Sequence, residues 1–104
     1  MEVPEVDIHE ARKRFNGKGC IFVDIRDPDS YRAAHVPGSV HLHDGNVQEF
    51  IETADKGREV VVYCYHGNSS LGAVAYFLQN GFSNIASMSG GFEAWRKVYE
   101  FDEG

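Results

Sequence analysis

The hydrophobic positions of this chain fall into short runs that switch between a helical and an extended period. Ile8, Ala11 and Phe15 share one helical face behind Asp7, which with Glu10 three residues later resembles a capping box, and Gly17 stops the helix. Cys20-Ile21-Phe22-Val23 is a continuous apolar run of strand formers, suited to a strand covered on both faces. Asp27-Pro28 reads as an N-cap with proline at the first helical position, which predicts a brief helix through Ala33 or Ala34. His35-Val36-Pro37-Gly38 then turns the chain. A strand at Val40 to Leu42 and a helix with Val47, Phe50 and Ile51 on one face follow.

Val60-Val61-Val62-Tyr63 is the clearest strand, and Ser70 to Asn80 the clearest helix, with Gly81 placed as a left-handed C-cap. A further strand near Ile85 to Met88, the pair Gly90-Gly91, and a helix carrying Phe92, Trp95 and Val98 complete the pattern. Strands alternating with helices define an α/β fold with a parallel sheet flanked by helices. Repeats, low-complexity segments and linkers are absent from the sequence, so residues 1–104 read as one domain, with a frayed acidic tail from Glu100 to Gly104.

Composition narrows the function classes. The chain has 104 residues, of which 42% are hydrophobic and 25% charged, enough for one modest core and one site. A formal net charge of -6 and scattered basic residues exclude nucleic acid or an anionic membrane as the main partner. The apolar stretches Val60 to Tyr65 and Leu71 to Leu78 fall well short of the roughly 20 residues that cross a bilayer. The acidic opening Glu2-Val3-Pro4-Glu5 lacks the basic and apolar regions of a secretory signal, and Cys20 and Cys64 read as free thiols, so a cytoplasmic location is expected.

Cys64 carries the chemistry. It ends a buried strand, and Cys64-Tyr65-His66-Gly67-Asn68-Ser69 leads directly into the next helix, the place where open α/β sheets put their ligand sites. A loop holding Gly67 and small polar residues can turn successive N–H groups toward the sulfur, and the helix beginning near Ser69 or Ser70 adds its positive end. Both favour thiolate over thiol. Cys20, beside Ile21, Phe22 and Val23, reads instead as core.

Four other groups receive the plainer reading. Asp24 and Arg26 at a strand end form a structural ion pair. His41 and His43 lack a third partner at metal-ligand spacing, so no metal site is expected. Phe92, Trp95 and Val98 belong to a helix packing on the sheet. A phosphatase-type Cys-x5-Arg loop needs a guanidinium to hold its oxyanion, and the corresponding position here is Ser70.

Three stretches, Val23-Asp24-Ile25-Arg26 with His35-Val36-Pro37-Gly38-Ser39, the loop Cys64 to Ser70, and Gly90-Gly91-Phe92-Glu93-Ala94-Trp95, together resemble the rhodanese family and within it the single-domain, thiosulfate-using GlpE type. The resemblance spans nearly the whole chain. It implies a rhodanese-like three-layer α/β domain, a persulfide on Cys64, and a cradle formed by Tyr65, His66, Gly67, Asn68, Ser69 and Ser70. It further implies thiosulfate or a persulfide as donor, cyanide, a small thiol or a thioredoxin-like protein as acceptor, and neither metal nor organic cofactor. The loop is one residue shorter than in the phosphatases that share the rhodanese fold. Leu71 departs from the pattern, because the GlpE-type loop continues with a lysine there. That departure leaves a second reading open, a relay module that receives persulfide from a partner protein.

Overall fold

The computed structural model describes residues 2–17 and 19–104. Among them the chain runs β1 (Glu5–Val6), α1 (Ile8–Asn16), β2 (Ile21–Asp24), α2 (Pro28–Ala33), β3 (Val40–His41), α3 (Val47–Thr53), β4 (Val60–Tyr63), α4 (Ser69–Gln79), β5 (Ile85–Met88) and α5 (Gly91–Trp95). The strands form one sheet in the order β1-β5-β4-β2-β3, and every pairing is parallel. From β2 the chain moves outward to β3, and from β4 it moves the opposite way to β5. The crevice at the carboxyl ends of β2 and β4 is therefore a topological switch point.

Period-two alternation in the central strands supplies both faces of the core. Val61 and Tyr63 pack with Ile8, Ala11, Phe22, Phe92 and Trp95, so α1 and α5 cover one face. Val60 and Val62 pack with Ile51, Val74, Phe77 and Phe82, which puts α3 and α4 on the other. The result is a three-layer α/β fold. Trp95 centres the first layer, edge-on to Phe15 and Phe22 at centroid distances of 5.7 and 5.8 Å, and its Nε1–H donates to the Glu100 carbonyl at 2.7 Å.

The elements end close to the expected places, with four differences. Asp7 accepts the Glu10 N–H at 2.8 Å, but the Glu10 carboxylate accepts from Arg14 instead of returning to the cap, so only half a capping box forms. β1 escapes the sequence pattern because it is a two-residue edge strand in an acidic segment, held through Pro4 and Val6 carbonyls to the Ser87 and Ser89 amides. Val98 is exposed, not core, because α5 closes at Trp95 and the backbone tightens into a turn. The tail is docked: Asp102 and His35 exchange two backbone hydrogen bonds of 2.8 and 2.9 Å, and Phe101 meets the Phe92 ring edge-on. Gly81, at φ 97°, turns the chain out of α4 as expected.

Asp24 and Arg26 form the structural ion pair that their position suggested. Asp24 is fully buried and takes the Arg26 Nη2 at 2.7 Å, the Nε at 3.1 and 3.2 Å, and the Arg26 backbone N–H at 2.8 Å. The guanidinium also donates to the Ala34 carbonyl at 2.5 Å and lies 4.3 Å over the Phe92 ring. This pair ties the loop after β2 to α2 and α5. Arg26→Met strands the buried Asp24 carboxylate and is expected to cost about 3–5 kcal/mol, measured as a lower urea midpoint. Asp24→Asn in the same chain should recover part of the loss.

Candidate functional site

Cys64 follows β4 directly, and its side chain is buried, 3% exposed. The Gly67 N–H donates to its Sγ at 3.2 Å and the Ser70 N–H at 3.3 Å. The Ser70 hydroxyl oxygen lies 3.4 Å from the same sulfur, and its other contact is the Ser87 hydroxyl at 2.7 Å. Donors thus reach the sulfur from the loop and from the first turn of α4, where the helix contributes its positive end.

The loop keeps this shape because α5 receives its outward carbonyls. The Phe92 N–H donates to the Cys64 carbonyl at 2.9 Å, and the Glu93 N–H to the Tyr65 carbonyl at 3.0 Å. This approach requires a glycine at 91: a Cβ there would stand 2.4 Å from the Tyr65 carbonyl oxygen and 2.7 Å from that of Cys64, with φ at 61°. Gly67, at φ 96°, turns the loop inward over Gly90 and Met88.

Two opposed effects set the ionisation of Cys64. Burial of the sulfur, the largest single influence, pushes the thiol up. The Ser70 hydroxyl, the Ser70 and Gly67 amides and the His66 amide together outweigh it, so Cys64 titrates below its ordinary value. Cys20 is half-buried and lacks such donors. Desolvation first and the neighbouring Glu59 carboxylate second push its thiol up to about 12, and it packs against the core as expected.

The cradle residues expected from the sequence divide into two sets. Gly67 and Ser70 meet the sulfur directly, and His66 contributes through its backbone. The Tyr65 side chain turns away: its hydroxyl meets the Ser30 hydroxyl at 3.0 Å and its ring lies 5.7 Å from the Arg26 guanidinium. The side chains of His66, Asn68 and Ser69 are exposed around the loop. The Asn68 carbonyl accepts the Leu71 N–H at 3.2 Å, and Leu71 is half-buried on α4. Elsewhere, His41 donates through Nε2 to the Arg26 carbonyl at 2.6 Å, while His43 accepts the Gly45 N–H through Nδ1 at 3.0 Å. Both are engaged in local hydrogen bonds. Sequence reasoning missed Ser87, whose only signal is a hydroxyl inside the apolar strand Ile85-Ala86-Ser87-Met88.

Cys64 is thus held by loop amides at the switch point of this parallel sheet, with the Gly90-Gly91 pair against the loop. The rhodanese-like domain model matches residues 7–98, and the chain belongs to that family. It is 50% identical over 93 residues to the thiosulfate sulfurtransferase GlpE of Pseudomonas paraeruginosa, covering 89% of this chain and 84% of that one. The GlpE of Pseudomonas entomophila is 50% identical over 90 residues, or 86% and 83% of the two chains. Among solved structures, the rhodanese-like domain of the Alr3790 protein from Anabaena sp. superposes over 100% of this chain and 81% of its own with a TM-score of 0.84 at 23% identity, a likeness of fold.

Alkylation of Cys64 followed against pH should inflect below the roughly 8.5 of a free cysteine, while Cys20 stays unlabelled over that range. The folded-state value is depressed, so ionisation adds stability as the pH rises through it and the gain is lost as the pH falls again. The urea midpoint of the wild-type chain should therefore gain on that of Cys64→Ala as the pH rises toward the roughly 8.5 of a free cysteine and level off above it. Gly91→Ala forces the loop off α5 at a cost of about 2–5 kcal/mol, and its Cys64 inflection should move upward.

Proposed function

We propose that this chain is a thiosulfate sulfurtransferase in which Cys64 carries the transferred sulfur as a persulfide. The observation that carries the reading is the convergence of the Gly67 amide, the Ser70 amide and the Ser70 hydroxyl on one buried sulfur. Those donors stabilise a sulfur anion both before and after sulfur is taken up. The relatives that share half of its residues bear the name thiosulfate sulfurtransferase.

In the first step the Cys64 thiolate attacks the outer sulfur of thiosulfate. The new S–S bond forms as the bond to the sulfonate breaks, and sulfite leaves with that electron pair. In the second step cyanide, a small thiol or a thioredoxin-like protein thiolate attacks the outer sulfur, and the electron pair of the S–S bond returns to Cys64 Sγ. Cyanide leaves as thiocyanate. Gly67 and Ser70 hold the sulfur, while His66, Asn68 and Ser69 line the approach and Tyr65 closes it toward α2. Neither step calls for a metal or an organic cofactor. His66 is the basic side chain of the loop and meets the donor anion in the place where Leu71 offers no charge.

The parallel reading of a relay module fed only by a partner protein is not favoured, because the relatives are named as thiosulfate sulfurtransferases. Two faces of one sheet share the whole described core, which supports reading residues 1–104 as a single domain. Among the described residues no helix is long and apolar enough to cross a membrane, and both cysteines are free, which fits a reducing, cytoplasmic setting.

Brief exposure to thiosulfate should add about 32 Da to the intact mass through a persulfide, and cyanide should remove it. Cys64→Ser should gain nothing and form no thiocyanate. An adduct that persists in Cys64→Ser would overturn the assignment, and a wild-type chain that stays unmodified would reject thiosulfate as donor.

A further inference from the structure

Ser87 is fully buried in β5 between Ala86 and Met88, a place where an apolar residue would pack at less cost. Its hydroxyl oxygen lies 2.7 Å from that of Ser70, which in turn lies 3.4 Å from Cys64 Sγ. Each hydroxyl owns one proton. If Ser70 gives its proton to the sulfur, the short contact to Ser87 is a hydrogen bond only when Ser87 gives its own proton to Ser70.

We propose that Ser87 is a positioning residue for the sulfur-carrying step: it donates to Ser70 Oγ and thereby holds the Ser70 proton on Cys64 Sγ. This rests on the reading of Cys64 as the sulfur carrier. In the thiolate the chain runs from the Ser87 hydroxyl to the Ser70 hydroxyl to Sγ, each bond polarising the next. In a protonated thiol the sulfur has a proton of its own to give, and the chain loses its fixed direction. The pair therefore favours the anion. The same direction serves the second step, when the acceptor takes the outer sulfur, the S–S bond breaks and its electron pair returns to Sγ.

The position of Ser87 makes it separable from the rest of the cradle. It does not touch the sulfur, its hydroxyl meets the cradle at Ser70 Oγ, and its backbone N–H is engaged elsewhere, with the Pro4 carbonyl at 2.9 Å. Removing the hydroxyl leaves the Gly67 and Ser70 amides where they are. The effect should thus appear in the ionisation of Cys64 and in the rate of sulfur transfer more than in the binding of donor.

The test compares Ser87→Ala, Ser87→Thr and wild type in the pH dependence of Cys64 alkylation. Ser87→Ala should raise the inflection by about half a unit, so that alkylation below it slows roughly threefold. Thiosulfate kcat should fall with little change in KM. Ser87→Thr, which keeps the hydroxyl, should return the inflection to the wild-type value. An Ala profile that overlays wild type, or a Thr profile shifted as far as Ala, overturns the proposal. Should Ser87→Ala fail to fold by its melting curve, Ser87→Thr decides: a wild-type profile supports the chain and a raised one rejects it. Alkylation reads the thiolate without any sulfur donor, so failure of the sulfurtransfer reading would show in the mass experiment and leave this result standing.

Discussion

A peptide unit that points its N–H at a sulfur must point its C=O the other way, and a short loop around Cys64 has to place every one of those carbonyls. Here the first turn of α5 receives two of the loop carbonyls, those of Cys64 and Tyr65, through the Phe92 and Glu93 amides. The Tyr65 carbonyl and the His66 amide belong to one peptide unit, so the Glu93 N–H that takes the carbonyl also aims the amide at the sulfur. The four amides at the start of a helix have no partners within it, and this helix start is placed against a loop whose outward carbonyls need donors. The loop and the helix thus satisfy each other. The condition for it is that no side chain stands between them, which is why position 91 holds a glycine whose Cβ would lie 2.5 Å from the Tyr65 carbonyl carbon.

The consequence for chemistry is a balance between burial and donation. An unassisted thiolate is disfavoured even when half-buried, as Cys20 shows with its pKa pushed up to about 12. Cys64 is more deeply buried by surface exposure and still shifts the other way. Geometry accounts for the inversion: Cys20 has an acidic neighbour in Glu59, whereas Cys64 has the N–H and O–H donors of Gly67 and Ser70. Burial also strengthens those donors, because water that would compete for the sulfur is excluded.

Much of this was legible in the sequence because the features concerned are local. The strand Val60–Tyr63 announces itself as an unbroken apolar run, Ile85–Met88 as an apolar run interrupted only by Ser87, and the α4 boundary is marked by Gly81. The loop between Cys64 and Ser70 was readable as an anion cradle from its position and its glycine alone. What escaped depends on partners distant along the chain. β1 exists only because the β5 edge supplies the Ser87 and Ser89 amides, and the tail is ordered only because His35 and Phe92 await it. Val98 kept helical spacing with Trp95, yet the helix had already ended. Tyr65 belongs to the expected cradle by its place in the loop, while Ser30 and Arg26, distant along the chain, draw its side chain aside. Ser87 could not be singled out, since a lone serine in a strand acquires meaning only when Ser70 arrives opposite it.

Ser70 also separates this chemistry from the phosphate chemistry that a cysteine cradle could otherwise support. Whereas thiosulfate presents only its outer sulfur, a phosphoryl group attacked at its central phosphorus brings its equatorial oxygens into the cradle and needs a bidentate cation at the far end of the loop. At that position stands a small, fully buried hydroxyl whose contacts are Cys64 and Ser87. A guanidinium in its place would have to displace the Ser87 contact inside a filled sheet, and the loop would have to open by another residue to admit three equatorial oxygens. A single sulfur atom has no such requirement: it needs a nearby anion-stabilising surface and a path for its acceptor. The residue that makes the site too closed for phosphate is thus the one that gives the sulfur its third donor, and selectivity and activation arise from the same hydroxyl.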